Sequence, residues 1–203
     1  KKRYVLHVID KDGKPVDMPK VMGLDIKKSN LPVYVQHTLT DWILDYIKGA
    51  EWQTLSDRII DFKNQVRTNS IMDIGIPKGV KRIEHYTAEF ENLGMKARLP
   101  GHVAASIFYN IMRKHNNAYD FPAITSGSKI RVFKMKGKVG KFKSIALPRD
   151  IEDVPSWFED TVDLNIEEHV KSLIDSPLNN ILCAVGLKTP TEQSIFIDSF
   201  LEY

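Results

Sequence analysis

Cysteine is almost absent from this chain: Cys183 is the single one among 203 residues. One thiol closes no internal disulfide and builds no thiolate zinc cage, so a disulfide framework is excluded and a reducing compartment is expected. Long apolar runs are missing as well. No window approaches the roughly 20 apolar residues that a membrane helix needs, so no membrane partner is expected. The chain carries no internal repeat and no low-complexity tract. Compact catalytic signatures are also lacking: there is no GxSxG, GxGxxG or DFG-like stretch, no P-loop spacing and no HExxH. His7, His37, His85, His102, His115 and His169 show no paired helical spacing that would ligate a metal. Cys183 lies within the apolar stretch 181–185 and reads as an inert core thiol. No catalytic residue, metal ligand or cofactor site is assigned within this chain. An enzyme with scattered groups stays open as a reading. The first residue is Lys1 rather than Met, inside a charged motif, and this suggests a truncated chain, a processed chain or a gene break.

What is present belongs to a globular protein. Hydrophobic residues make up 42% and charged residues 27%, which excludes wholesale disorder. The length suits one large domain or two small ones. The formal net charge of +3 hides a strong asymmetry. Residues 1–149 hold 27 Lys and Arg against 14 Asp and Glu, and residues 150–203 hold 2 against 12. A body of net +13 is thus followed by an end of net −10. Such segregation fits a polyanion-binding body and an acidic end with another task, and equally solvated faces sorted by sign.

Alternation and turn chemistry predict a β-hairpin at the start. Residues 4–9 are β-branched and aromatic, Asp12-Gly13 is a tight-turn pair, and 21–26 reads as the returning strand. Pro32 suits an early helical position. Val35, Leu39, Trp42, Ile43, Tyr46 and Ile47 then recur at spacings of three and four, up to Gly49. Leu55, Ile59, Phe62 and Val66 mark a second helix. Residues 68–100 read as irregular, with Gly75, Pro77, Gly79, Gly94 and Pro100 as breakers. A helix is predicted over 102–113 and two short strands over 129–147, around Lys136-Gly137-Lys138. Leu164 to Val185 reads as one or two helical stretches interrupted at Pro177, followed by a linker at 188–191. The fold class is α+β.

Basic residues cluster in four places. Residues 121–149 hold Lys129, Arg131, Lys134, Lys136, Lys138, Lys141, Lys143 and Arg149 and no acid. Every second strand side chain is about 7 Å from the next, comparable to phosphate spacing. A charged sheet edge that blocks aggregation has the same composition. The others are Lys1-Lys2-Arg3 with Tyr4, Lys27-Lys28-Ser29-Asn30, and Lys78-Gly79-Val80-Lys81-Arg82 near His85 and Tyr86. Each alone is the composition of a solvated loop; together they point to a polyanion. The last segment, with Ile195, Phe196, Ile197, Phe200, Leu201 and Tyr203, is unusually apolar for a terminus. It reads either as an element docked on the protein's own core or as a short motif that inserts aromatic groups into a partner.

Several of these stretches resemble phage replicative DNA polymerases of family B. Lys1-Lys2-Arg3-Tyr4 resembles the family's KKRY element in the palm. Residues 23–32, Gly-Leu-Asp-Ile-Lys-Lys-Ser-Asn-Leu-Pro, resemble the GLE-x-x-KSS-x-P stretch at the palm-to-thumb junction, with Asn30-Leu31 departing from the usual pattern. Pro100-Gly101-His102-Val103 with Tyr109-Asn110 is similar to a thumb segment, and the acidic end with its aromatic tail resembles the family's clamp-docking terminus. The elements occur in family order over the whole chain. The resemblance covers only the C-terminal part of a polymerase, so the catalytic aspartates would lie before Lys1.

The resemblance implies a helical thumb with a small β subdomain and an N-terminal β-hairpin from the palm. Residues 1–30 would be the end of the palm, 31–190 the thumb and 191–203 a sliding-clamp-binding peptide. It implies that Lys2 and Tyr4 lie near the primer terminus, that Lys27, Lys28 and Ser29 lie against the duplex backbone, and that Lys78, Lys81, Arg82 and Arg98 are further DNA contacts. Ile195, Phe196, Phe200, Leu201 and Tyr203 would bind the clamp. The implied partners are primer–template DNA, the palm and fingers part of the polymerase, and the sliding clamp, in the cytoplasm of an infected bacterial host. Mg2+ is expected only in the complete polymerase. The alternative reading is a stand-alone nucleic-acid-binding or replisome adaptor protein.

Overall fold

A computed structural model describes residues 2–192. The chain is α+β, with two small antiparallel sheets and eight α-helices among the described residues. It divides into two compact units. One comprises residues 1–69 with 170–203, the other residues 70–169.

The first unit opens with the hairpin β1 (Tyr4–Lys11) and β2 (Lys14–Met22), paired from Tyr4 with Met22 to Lys11 with Lys14. The returning strand starts at residue 14, earlier than 21–26. Asp12 and Gly13 both take positive φ, 56° and 76°, and this two-residue turn leaves no slack between the strands. Pro15 and Pro19 sit in β2, an edge strand, where a missing N–H can be turned away from the partner. β2 ends at Gly23, whose φ is +66°. A Cβ there would lie 2.2 Å from the Lys2 carbonyl oxygen, so only glycine lets the two ends of the hairpin close this tightly.

After a single 3-10 turn over Asp25–Lys27, helices α1 (Val33–Ile47) and α2 (Trp52–Thr68) follow where the spacing of apolar residues places them. Val35, Leu39 and Ile43 of α1 are buried, as are Leu55, Ile59, Phe62 and Val66 of α2. Trp42 meets Phe62 edge to face at 5.3 Å. Each such apolar side chain contributes about 1.5–3 kcal/mol on leaving water. Ile26 and Leu31 are buried too, and further core residues come from more than 100 positions away: Leu173 and Ile174 in a π turn (Lys171–Asp175), and Leu178 and Leu182 in a later helix over Ser176–Leu182. Pro177 does not break that helix. It follows the π turn directly, in the first turn of that helix, and Asp175 and Ser176 before it are already helical, so the irregularity falls in the π turn just ahead of the proline. Cys183 lies just past Leu182 and is exposed rather than in the core.

The second unit is built on a three-stranded antiparallel sheet in the order β3-β4-β5. Its elements are α3 (Ile71–Ile74), β3 (Ile76–Gly79), α4 (Ile83–Leu93), α5 (Gly101–His115), β4 (Lys129–Val139), β5 (Phe142–Pro148), α6 (Ser156–Thr161) and the start of α7 (Ile166–Val170). The helix over Ser176–Leu182 is α8. Residues 70–96, read as irregular, thus hold a helical turn, a strand and an 11-residue helix. Ile83, Tyr86, Phe90 and Leu93 of α4 recur at spacings of three and four, but only Ile83 is buried. Contacts remote in sequence fasten its start instead. Ile83 N–H donates to Ser126 Oγ at 3.1 Å, and the Glu84 carboxylate accepts the Ser126 N–H and Oγ–H. Those two bonds hold the exposed Glu84 carboxyl below its ordinary range.

Helix α5 lies against β5, and Phe108 stacks on Phe142 at 4.9 Å. The β4–β5 turn falls at Gly140-Lys141, three residues later than the Lys136–Lys138 reading. The far part of β4 leaves β5 and bonds to another segment: Lys136 N–H donates to the Asp163 carbonyl and Asn165 N–H to the Lys134 carbonyl, both at 2.9 Å. Gly75 is required by close approach, because a Cβ there would meet Arg131 Cβ at 2.6 Å and Phe133 Cζ at 2.7 Å.

Candidate nucleic-acid interface

Two groups of exposed cations stand out, one in each unit. In the first unit, Lys2 and Arg3 lie at the open end of the hairpin, where Gly23 packs on the Lys2 carbonyl. The 3-10 turn and the bend after it bring Lys27, Lys28 and Ser29 to the same neighbourhood, all exposed. Asp25 marks the shared ground. Its carboxylate pairs with Lys28 at 2.7 Å and accepts the Asn180 amide at 2.6 Å. Lys28 first, then the Asn180 hydrogen bond and the Arg3 charge, hold the Asp25 carboxyl below its ordinary range. Lys28 is therefore part-neutralised in place, a competitor that sequence reading passes over. Tyr4 is half-buried, and its hydroxyl donates to Met22 Sδ at 2.9 Å.

In the second unit the cations gather at one end of the three-stranded sheet. Gly79 at the end of β3 pairs with Lys129 at the start of β4, and Arg149, just past β5, donates its N–H to the Lys129 carbonyl at 2.9 Å. Lys78, Lys81 and Arg82 flank the same corner and are exposed. Lys129 Nζ lies 3.7 Å from where a Gly79 Cβ would stand, so its ammonium hangs over bare backbone. Arg82 takes φ 57° to turn the chain from β3 into α4. His102, in the first turn of α5, is half-buried. Burial first, and then the Lys78 charge, lower its pKa below the ordinary imidazole value. Arg98 is exposed in the loop before α5, and its N–H donates to Glu89 Oε1 at 3.0 Å.

The acid-free stretch 121–149 divides on folding. Lys134 pairs with Glu168 at 3.1 Å and Lys136 with Asp163 at 2.9 Å. Lys141 donates to the Ala97 carbonyl and lies over the Phe90 ring at 5.5 Å. Acids from beyond residue 150 thus neutralise lysines of β4. Lys129 and Arg149 stay at the basic corner. Two further residues are structural. Tyr109, fully buried, donates to the Pro122 carbonyl at 3.0 Å, and burial pushes its hydroxyl up to about 12. Asn110 gives and takes a bond with the backbone of Ile124, at 2.8 and 2.9 Å. The Tyr-Asn pair therefore pins residues 122–124 from inside the fold.

The arrangement can neutralise a row of phosphates without reading a base: charged, flexible tips stand on backbone held by a turn or a sheet end. Ile195, Phe196, Phe200, Leu201 and Tyr203 lie outside the described residues. Among the described residues no three His, Cys, Asp or Glu side chains converge as a metal would need. No helix among them is long and apolar enough to cross a membrane.

An α+β chain with two cationic groups on separate units defines a class, a protein with surfaces complementary to polyanions. The comparisons with known proteins are more particular. The chain is similar to the DNA-directed DNA polymerase of Escherichia phage RB69, with 28% identity over 206 aligned positions. The similarity takes in 97% of this chain and 22% of that polymerase, so the chain spans about a fifth of the relative it matches. No protein-family model matches.

Proposed function

We propose that this chain is the thumb part of a family B replicative DNA polymerase, with the last strands of the palm, and that it grips primer–template duplex. The observation that carries this reading is the similarity to a phage DNA polymerase, which runs through nearly the whole of this chain. The two cationic groups give it a physical basis. On this reading Lys2, Tyr4, Lys27, Lys28 and Ser29 face the duplex near the primer end, and Lys78, Lys81, Arg82 and Arg98 meet its backbone further along. The grip is electrostatic and indifferent to sequence, because phosphates are alike at every step. Residues 1–30 act as palm, 31–190 as thumb, and 191–203 tether the chain to a sliding clamp in the cytoplasm of the infected host. The Mg2+-dependent chemistry belongs to polymerase segments outside this chain, the palm and fingers, which are its partner.

The test is a titration of labelled primer–template duplex at increasing salt. Each phosphate neutralised contributes about 0.9 to the slope of log K against log salt. Lys81→Ala with Lys129→Ala should lower the slope by about 2, with no change in sequence preference. Salt-independent binding would sink the grip. Primer extension by this chain alone should be nil, and robust synthesis would overturn the assignment. Removing residues 191–203 should abolish binding to the clamp of the same phage and leave DNA affinity unchanged or slightly raised. Binding of duplex and clamp together with no gain in synthesis on adding a palm-and-fingers partner would favour the adaptor reading.

A further inference from the structure

Lys63 is an unusual residue for its place. It lies in α2 between Phe62 and Asn64, and its side chain is 8% exposed. An ammonium that deep needs a counter-charge and acceptors, or burial expels its proton. Both are present. Its Nζ lies 2.6 Å from Asp175 Oδ1 in the π turn and donates to the Pro190 carbonyl at 2.7 Å. Pro190 itself is buried. Two more contacts hold the same stretch of chain. Thr189 donates its N–H and its Oγ–H to Asn179 Oδ1, at 2.9 and 3.1 Å, and Glu192 comes within 3.7 Å of Arg67, one helical turn beyond Lys63.

We propose that Lys63 is a latch that straps residues 188–192 onto the first unit and so fixes where the C-terminal segment begins. The composition of 188–191, Lys-Thr-Pro-Thr, is that of a loose linker. The contacts make it a fastened strap. The latch is a positioning residue. It has no role in gripping phosphate, since its charge is spent inside the fold. Its salt dependence is weak, because a buried pair is screened far less than a surface one. Where the C-terminal segment is the tether described above, the latch sets its root. With residues 188–192 fastened, two residues separate the strap from Ile195; with them released, seven do, and the longer linker lowers effective concentration, so release should weaken tethered binding. That consequence rests on the tether reading; the latch itself does not.

The experiment is limited trypsin digestion of the whole chain, read by mass spectrometry at the Lys188–Thr189 bond. Cleavage there reports how often the strap opens when closing is fast. Lys63→Met keeps the length of the side chain and removes the charge. It should raise cleavage at Lys188 by about tenfold or more, the size of a lost charged hydrogen bond. Cleavage at sites in residues 70–169 should not change, and this separates local release from general unfolding. Should Lys63→Met fail to fold, Asn179→Ala removes both bonds to Thr189, and a several-fold rise is expected. Unchanged cleavage at Lys188 in a folded Lys63→Met protein overturns the proposal, as does an equal rise at sites in both units. Failure of clamp binding with enhanced cleavage would instead remove the tether reading and leave the latch in place.

Discussion

The imidazole of His169 accepts the backbone N–H of Lys134 through Nε2 at 2.9 Å. The opposite ring nitrogen, Nδ1, lies 3.1 Å from the Ile74 carbonyl. An N–H pointing at Nε2 requires that nitrogen to be unprotonated, so the proton sits on Nδ1 and donates to Ile74. One neutral ring thus joins α7, β4 and the end of α3. His169 is fully buried. Burial, the leading cause, lowers its pKa to about 4, although the Ile74 bond opposes the shift.

Stability should therefore depend on acid in a defined window. The unfolded chain binds a proton near the ordinary imidazole value of 6.5, while the folded chain resists until about 4. The contribution is fully present above pH 6.5 and is lost as pH falls to 4, because the unfolded state takes up the proton first. Its size is at most about 3 kcal/mol. Urea midpoints measured from pH 7.5 to 4 should fall accordingly, and His169→Gln should flatten that fall while costing stability at neutral pH. A ring that titrates near 6.5 by proton NMR would contradict the geometry.

Asp25 restrains the first cationic group by holding Lys28. Asp25→Asn should free that ammonium and remove an acid that the Arg3 charge acts on. On the DNA-gripping reading, duplex affinity rises and the salt slope steepens by about 1. The loss of an ion pair whose lysine side chain is 55% exposed costs little, under about 1 kcal/mol. Unchanged affinity in a folded variant would show that this corner does not touch phosphate.

Gly75 is a packing test. In Gly75→Ala the added methyl meets Arg131 Cβ and the Phe133 ring at under 3 Å, and neither is a flexible tip. Ile74 and Ile76 would have to shift, at about 1–3 kcal/mol. Thermal unfolding should show the loss. Gly79→Ala, where the nearest atom is the mobile Lys129 ammonium at 3.7 Å, serves as the tolerant control.

Much of the fold was legible in the sequence because its signals are local. Helices α1, α2 and α5 declare themselves by apolar residues at spacings of three and four, and the first turn by Asp12-Gly13. Helix α4 was missed. Its apolar residues Ile83, Tyr86, Phe90 and Leu93 do recur at spacings of three and four, but the breakers Gly79 and Gly94 on either side outweighed them, and its start depends on Ser126, more than 40 residues away. The basic residues were legible as composition. Their grouping was not, because Gly79, Lys129 and Arg149 meet only through strand pairing.

By itself, then, the sequence determined the α+β class, the principal helices, the excess of cations and the resemblance to phage polymerases. These follow from periodicity, turn chemistry and residue type, which need no partner. Tertiary structure decided which charges stay available. It spent Lys134, Lys136 and Lys141 on contacts within the second unit and buried Lys63 against Asp175. It also left Lys78, Lys81, Arg82 and Lys129 at one corner. The reason is the range of the interaction: an ion pair forms over a few ångströms in space, between residues that can stand 30 or 100 positions apart in the chain.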